Sequence, residues 1–110
     1  MARVTKAFDV VNIGNLITGV AAQNIRIYSI HMTNNATAND NVVNLVSLSP
    51  LTYYYGGADG SIYLRKDGGQ FGLGSPDNTI PIFTINTGKS LYLDPLSAGN
   101  VSGVVIYEIS

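Results

Sequence analysis

Clusters of turn-forming residues interrupt this chain so often that no amphipathic helix fits between them. Gly14-Asn15, the run Asn34 to Asn41, Ser49-Pro50, Gly56 to Gly60, Asp67 to Asn78, Asn86-Thr87-Gly88 and Asp94 to Asn100 supply Gly, Asn, Asp and Pro. Such residues take left-handed backbone, bond their own main chain or cannot donate to a ladder. The intervals between them have strand length. Arg3 to Ile13, Ile25 to Thr33, Val42 to Leu48, Leu51 to Tyr55, the alternating segment around Ile62 and Leu64, Thr79 to Ile85, Lys89 to Leu93 and Val101 to Ile109 read as strands. About eight short strands with no helix predict an all-β fold, an antiparallel β-sandwich of jelly-roll-like or barrel type. Leu16 to Asn24 reads as a connection, and the glycine-rich stretch from Asp67 to Asn78 as a mobile loop suited to contact. The 110 residues suffice for one domain with one core, residues 1–13 forming an edge strand or N-terminal arm.

Composition then narrows the function. Hydrophobic residues make up 45% of the chain and charged ones only 12%, against roughly 25% charged in an average soluble domain. Six basic and seven acidic residues leave a net charge of −1, with no cationic footprint for nucleic acid or an anionic membrane. No cysteine is present, so disulfides and thiolate chemistry are excluded. No run approaches the about 18 apolar residues a spanning helix needs, and Met1 to Lys6 lacks the apolar core of a secretory signal, so synthesis in a cytoplasm is expected. A surface this poor in charge provides little repulsion between copies, which points to life inside an assembly.

Two strands point the same way. Ile80 and Ile82 oppose Phe83 and Ile85, and Val104 and Ile106 oppose Val105, Tyr107 and Ile109. A two-layer sandwich leaves the outer face of each sheet in water, so apolar residues on both faces ask for a second cover, most simply a neighbouring subunit.

Catalytic chemistry finds no constellation. His31 is the only histidine and has no carboxylate near it in sequence to orient it. Asp9, Asp40, Asp59, Asp67, Asp77, Asp94 and Glu108 are scattered singly, mostly beside turn residues, without the grouping a calcium loop or a glycosidase pair requires. Gly68-Gly69, Gly72 and Gly74 lack the Gly-Lys-Ser/Thr that completes a phosphate cradle. The expectation is therefore no catalytic residue, no cofactor and no metal ligand. Tyr53-Tyr54-Tyr55 stands apart, because alternation in an extended segment turns at least one of the rings outward. Tyrosine supplies contact area with a hydroxyl at its tip, as binding surfaces use it.

Three segments carry a family resemblance. Gln23-Asn24-Ile25-Arg26-Ile27-Tyr28-Ser29-Ile30, Thr87-Gly88-Lys89-Ser90-Leu91-Tyr92-Leu93 and Val101-Ser102-Gly103-Val104-Val105-Ile106-Tyr107 resemble strands of small structural proteins encoded among the morphogenesis proteins of tailed bacteriophages. The resemblance implies a β-sandwich virion component, a capsid decoration or cement protein that binds between major capsid protein subunits on the capsid surface. It also implies a homotrimer on a local threefold axis and an absence of enzymatic activity. On this reading the contacts fall to Arg3, Val4, Lys6 and Phe8, to Tyr53, Tyr54 and Tyr55, and to Phe71 and Leu73 in the glycine-rich stretch. The competing expectation is a carbohydrate-binding or adhesion module of a phage tail or fibre, since Tyr, Asn and Asp on loops suit sugar recognition.

Overall fold

A computed structural model describes residues 3–48, 50–55, 62–75, 77 and 79–110. It is all-β, with no helix among the described residues, and none is therefore long and apolar enough to cross a membrane. The strands are β1 (Val4–Val10), β2 (Gly14–Ile17), β3 (Ile25–Asn34), β4 (Asn41–Ser47), β5 (Thr52–Tyr55), β6 (Ile62–Leu64), β7 (Gln70–Gly74), β8 (Phe83–Ile85), β9 (Leu91–Pro95) and β10 (Val101–Ile109). They pair antiparallel throughout, in two five-stranded sheets. Sheet A runs β1-β10-β3, with β7 and β8 sharing the far side of β3. Sheet B runs β2-β9-β4, with β5 and β6 sharing the far side of β4. The shortest molecular dimension, 18 Å, matches two sheets about 10 Å apart with their outer side chains.

Alternation decides which residues meet between the sheets. Ile25, Ile27, Ile30 and Met32 of β3 face Val43 and Leu45 of β4 and Leu91 and Leu93 of β9 in one buried cluster. The step from Ile27 to Ile30 breaks strict period two because Tyr28 is an extra residue: Ile106 pairs with Ser29 and Tyr107 with Ile27. Such a bulge puts two consecutive side chains on one face and sharpens the local twist. Gly103 serves the same packing, since a Cβ there would lie 1.9 Å from the His31 carbonyl oxygen and 2.8 Å from Cζ of Phe8. The Phe8 ring takes the space a side chain would fill.

Several sequence expectations change. Ten strands form among the described residues rather than about eight, because the segments read as a connection and as a glycine-rich loop each hold one more. The glycine-rich stretch holds β7, with Phe71 paired to Met32 and Leu73 to Ile30; glycines at 72 and 74 do not prevent pairing when the residues between them bury apolar rings and chains. The connection after Gly14 holds β2, whose Leu16 and Ile17 are fully buried. The strand over 79–85 shrinks to β8, and Ile80 lies outside it with 76% of its surface exposed. Of the two strands expected to be apolar on both faces, β10 keeps Val104 and Ile106 outward. The turn predicted at Gly56 to Gly60 lies outside the described residues.

The asparagine-rich run is more than a projecting loop. Asn34 closes β3 and is fully buried; its side-chain amide donates to the carbonyls of Asn39 (3.1 Å) and Leu64 (3.0 Å), and its Oδ1 accepts from the Ala36 N–H (3.0 Å). Asn41 opens β4, is also buried, and exchanges both amide bonds with the main chain of Ser97 at 3.1 Å. Outside them, Asn35 donates to Asn100 and Ser102, and Asn100 to Asp9. Three loops and the end of β1 are thereby stitched together at one end of the sandwich. Asn34→Ala leaves the buried Leu64 carbonyl without this donor and is expected to cost about 1–3 kcal/mol, whereas Asn35→Ala at the exposed rim costs below about 1 kcal/mol. Urea unfolding of both variants, read as a shift in midpoint at constant slope, checks the difference.

Candidate functional site

The nine residues expected to make contacts fall at opposite edges of the sandwich. Arg3, Val4 and Lys6 are exposed at the free edge of sheet A, while Phe8 turns into the core. The Arg3 guanidinium lies 3.7 Å over the ring of Tyr28, which is buried on the outer face of sheet A. At the other edge, Tyr54 stacks on Phe83 with centroids 5.8 Å apart and planes within 7°. Tyr55 tilts against Phe71 at 5.7 Å. With Leu73, these rings close the side of the core where β5 approaches β7 and β8, so Tyr54, Tyr55, Phe71 and Leu73 are packing residues, half-buried against the core cluster. The Tyr54 hydroxyl is buried there with no hydrogen-bond partner among the described residues.

A bulge explains how three consecutive tyrosines are seated. Leu45 pairs with Tyr55 and Val46 with Tyr53, so Tyr54 is the extra residue and follows Tyr55 toward the core. Tyr53 alone points outward. It is joined on the outer face of sheet B by Tyr92 and Tyr63, which the contact expectation omitted. Val46 lies between Tyr92 and Tyr53 in one cross-strand row, and Val42 lies beside Tyr63 in another. Between the rows, Asn44 pairs with Asp94. Val46 is fully buried yet stands apart from the core cluster, so its cover comes from its own face, where the two tyrosines are its neighbours. Tyr63 is 57% exposed and Tyr53 37%. The signal was present in the sequence: Ile62 and Leu64 bracket Tyr63, and Leu91 and Leu93 bracket Tyr92, so alternation turns both rings out.

Tyr63 is also held in place. Its hydroxyl donates to Oδ2 of Asp40 at 2.5 Å, and the Lys66 N–H donates to Oδ1 at 2.9 Å. The hydroxyl bond, the backbone N–H and the nearby Arg65 and Lys66 charges hold the Asp40 carboxyl below its usual range. The same contact raises the Tyr63 hydroxyl, which keeps its proton to higher pH. His31 lies on the outer face of sheet A opposite Val104, its ring filling the space over Gly72, where a Cβ would approach Nδ1 to 2.3 Å. Among the described residues no three His, Cys, Asp or Glu side chains are grouped to hold a metal ion.

No family model matches the chain, and no curated protein or solved structure matches it.

The Asp40 shift has a definite sign. A carboxyl depressed in the folded state adds stability that is present above its ordinary unfolded value of about 3.9 and disappears as pH falls through the folded value. In Tyr63→Phe the Asp40 titration midpoint is expected to move upward, and that part of the acid-side stability weakens at a higher pH than in the parent chain. Carboxyl chemical shifts followed by NMR from pH 2 to 6 measure the midpoint; an unmoved midpoint contradicts the assignment.

Proposed function

We propose that the protein is a structural component of a virion, a decoration or cement protein of a tailed-phage capsid, and that it docks on major capsid protein subunits through the outer face of sheet B. The observation that carries this reading is the composition of that face. Tyr53, Tyr63 and Tyr92 stand in rows around Val46, Val42 and Asn44, with Asp94 as the one charged side chain among the paired positions. Binding surfaces concentrate tyrosine and exclude charge at their centres, because aromatic rings bury a large area while losing little rotamer entropy. Strand order supports the same reading. With β5 and β6 taken as one broken strand, and β7 and β8 as another, the sheets read 1-8-3-6 and 2-7-4-5, the order of a jelly roll, an architecture found in viral capsid and lectin domains. Fold alone does not assign function, so the tyrosine face carries the argument.

A cement protein works by adding interface free energy where shell subunits meet, repeated over many copies, so modest contacts suffice. A second reading has its own support on the same face: half-buried Asp94 lies between the tyrosine rows, and rings beside a carboxylate acceptor are what sugar recognition uses. In that case the chain is an adhesion module of a tail or fibre.

The double variant Tyr53→Ala/Tyr63→Ala separates these outcomes. Each ring removed from an interface centre costs about 1–2 kcal/mol, about 2–4 kcal/mol for the pair, so occupancy on capsids of the encoding phage is expected to need about 30- to 1000-fold more protein. Heat resistance of the particles should fall in parallel. Unchanged capsid binding in the variant contradicts the docking face. Glycan-array binding by the parent chain that the variant loses, with no capsid binding by either, favours the adhesion reading instead.

A further inference from the structure

We propose that two copies of the chain pair through β1, antiparallel about a two-fold axis that passes through Ala7 normal to sheet A, so that the sheet continues from one copy into the other. The sheet edges are unequal. β2 spans four residues and carries a bulge; β5 and β6 span four and three; β7 and β8 span five and three, with Gly72 and Gly74 in β7. Short and interrupted edges are poor templates for another strand. β1 is different: seven residues pair with β10 in unbroken register from Val4 to Val10, and the opposite edge of β1 has no partner strand among the described residues.

The register follows from face parity and charge. A two-fold normal to the sheet keeps each face on its own side, so a residue must meet one of the same parity. With the axis at Ala7, Val4 meets Val10, Thr5 meets Asp9, Lys6 meets Phe8, and Ala7 meets itself. All of β1 pairs, and no like charges face each other. Moving the axis to Lys6 sets Lys6 against Lys6, a repulsive pair. Moving it to Phe8 leaves Val4 and Thr5 without partners. Lys6 therefore has a selective role: it shares the face of Val105, pointing to the core side while remaining exposed, and such a charge discourages unrelated strands from adding to an edge. In the register about Ala7 its aliphatic stem lies against the partner's Phe8 position, and Val4, 45% exposed in one copy, gains a neighbour.

The same axis turns the outer faces of both copies of sheet B to one side. Two tyrosine faces then address one surface together, and the second docks at high effective concentration. This bivalency rests on the docking face proposed above; the strand pairing does not.

Sedimentation equilibrium on the intact chain tests the pairing. The parent chain is expected at twice the chain mass, and Ala7→Lys, which sets two ammonium groups at the axis, at one chain mass. An equal mixture of Ala7→Lys and Ala7→Glu is expected to recover the doubled mass. Ala7 is exposed, so these substitutions leave the core untouched. A parent chain that stays monomeric at high concentration, one that is a trimer, or a dimer indifferent to Ala7→Lys overturns the proposal. A second measurement does not depend on the charged variants. The chain has no cysteine, so Ala7→Cys should cross-link to itself in a redox buffer far more completely than Thr84→Cys at the opposite edge; equal cross-linking overturns the proposal. Capsid-binding loss in Tyr53→Ala/Tyr63→Ala leaves these readouts unmoved, so failure of the docking face and failure of the pairing are told apart.

Discussion

Two strands in each sheet are hydrogen-bonded along both edges, β10 and β3 in sheet A and β9 and β4 in sheet B, and β3 and β4 are the ones that hold the interrupted side. β3 pairs with β10 over nine positions on one side, and with β7 and β8 over five and three on the other. β4 plays the same part in sheet B, between β9 and the pair β5 and β6. Because the far-side partners are interrupted, the chain leaves the ladder after β7 and returns before β8, where the Ile82 N–H donates to the Ile27 carbonyl at 2.7 Å. The interruption costs no core contact, since Ile85 and Phe83 continue the inward face that Leu73 and Phe71 begin. Everything that faces outward is positioned by these two ladders, including the tyrosines across β4.

Bulges do much of the remaining positioning. Tyr28 on β3, Tyr54 on β5 and Leu16 on β2 are each the extra residue opposite a shorter partner. At Tyr28 two consecutive side chains share the outer face, and Arg3 covers the ring. At Tyr54 two rings share the inner side, which frees Tyr53 to stand outward beside Val46. A strictly alternating β5 would have placed Tyr54 opposite in sense to both neighbours and removed either the stack on Phe83 or the outward ring. The Tyr54 hydroxyl, buried with no partner among the described residues, accompanies that arrangement.

The all-β class and the main inward positions were legible because turn residues and alternation are local signals. Ile62, Leu64, Leu91 and Leu93 announce their direction by their spacing, and with them Tyr63 and Tyr92 announce theirs. What was illegible depends on contacts distant in sequence. β7 is hidden by glycines whose role appears only when His31 lies over Gly72, and β2 by the bulge that lets Leu16 and Ile17 both be buried. Asn34 and Asn41 look like loop residues until the carbonyls they satisfy, on Leu64 and Ser97, are brought beside them. Among the tyrosines, three consecutive rings in one segment draw attention to Tyr54 and Tyr55, whereas the outward rings Tyr53, Tyr63 and Tyr92 come from separate strands.

The two outer faces are not equivalent, and this revises the inference drawn from strands apolar on both sides. On sheet A the outward positions include Asp9, Arg26, His31 and Glu108, with threonine, serine and glycine between them. Val104 and Ile106 are isolated in that polar setting, and scattered apolar residues on a surface are ordinary. On sheet B the outward rows hold tyrosine, valine and asparagine around a valine already withdrawn from water. Desolvating the first face strips several charges of their hydration, whereas the second presents mainly rings, with Asp94 between the rows and the Asp40 carboxylate at the Tyr63 hydroxyl. A chain with so few charges has thus distributed them unevenly between its two outer faces.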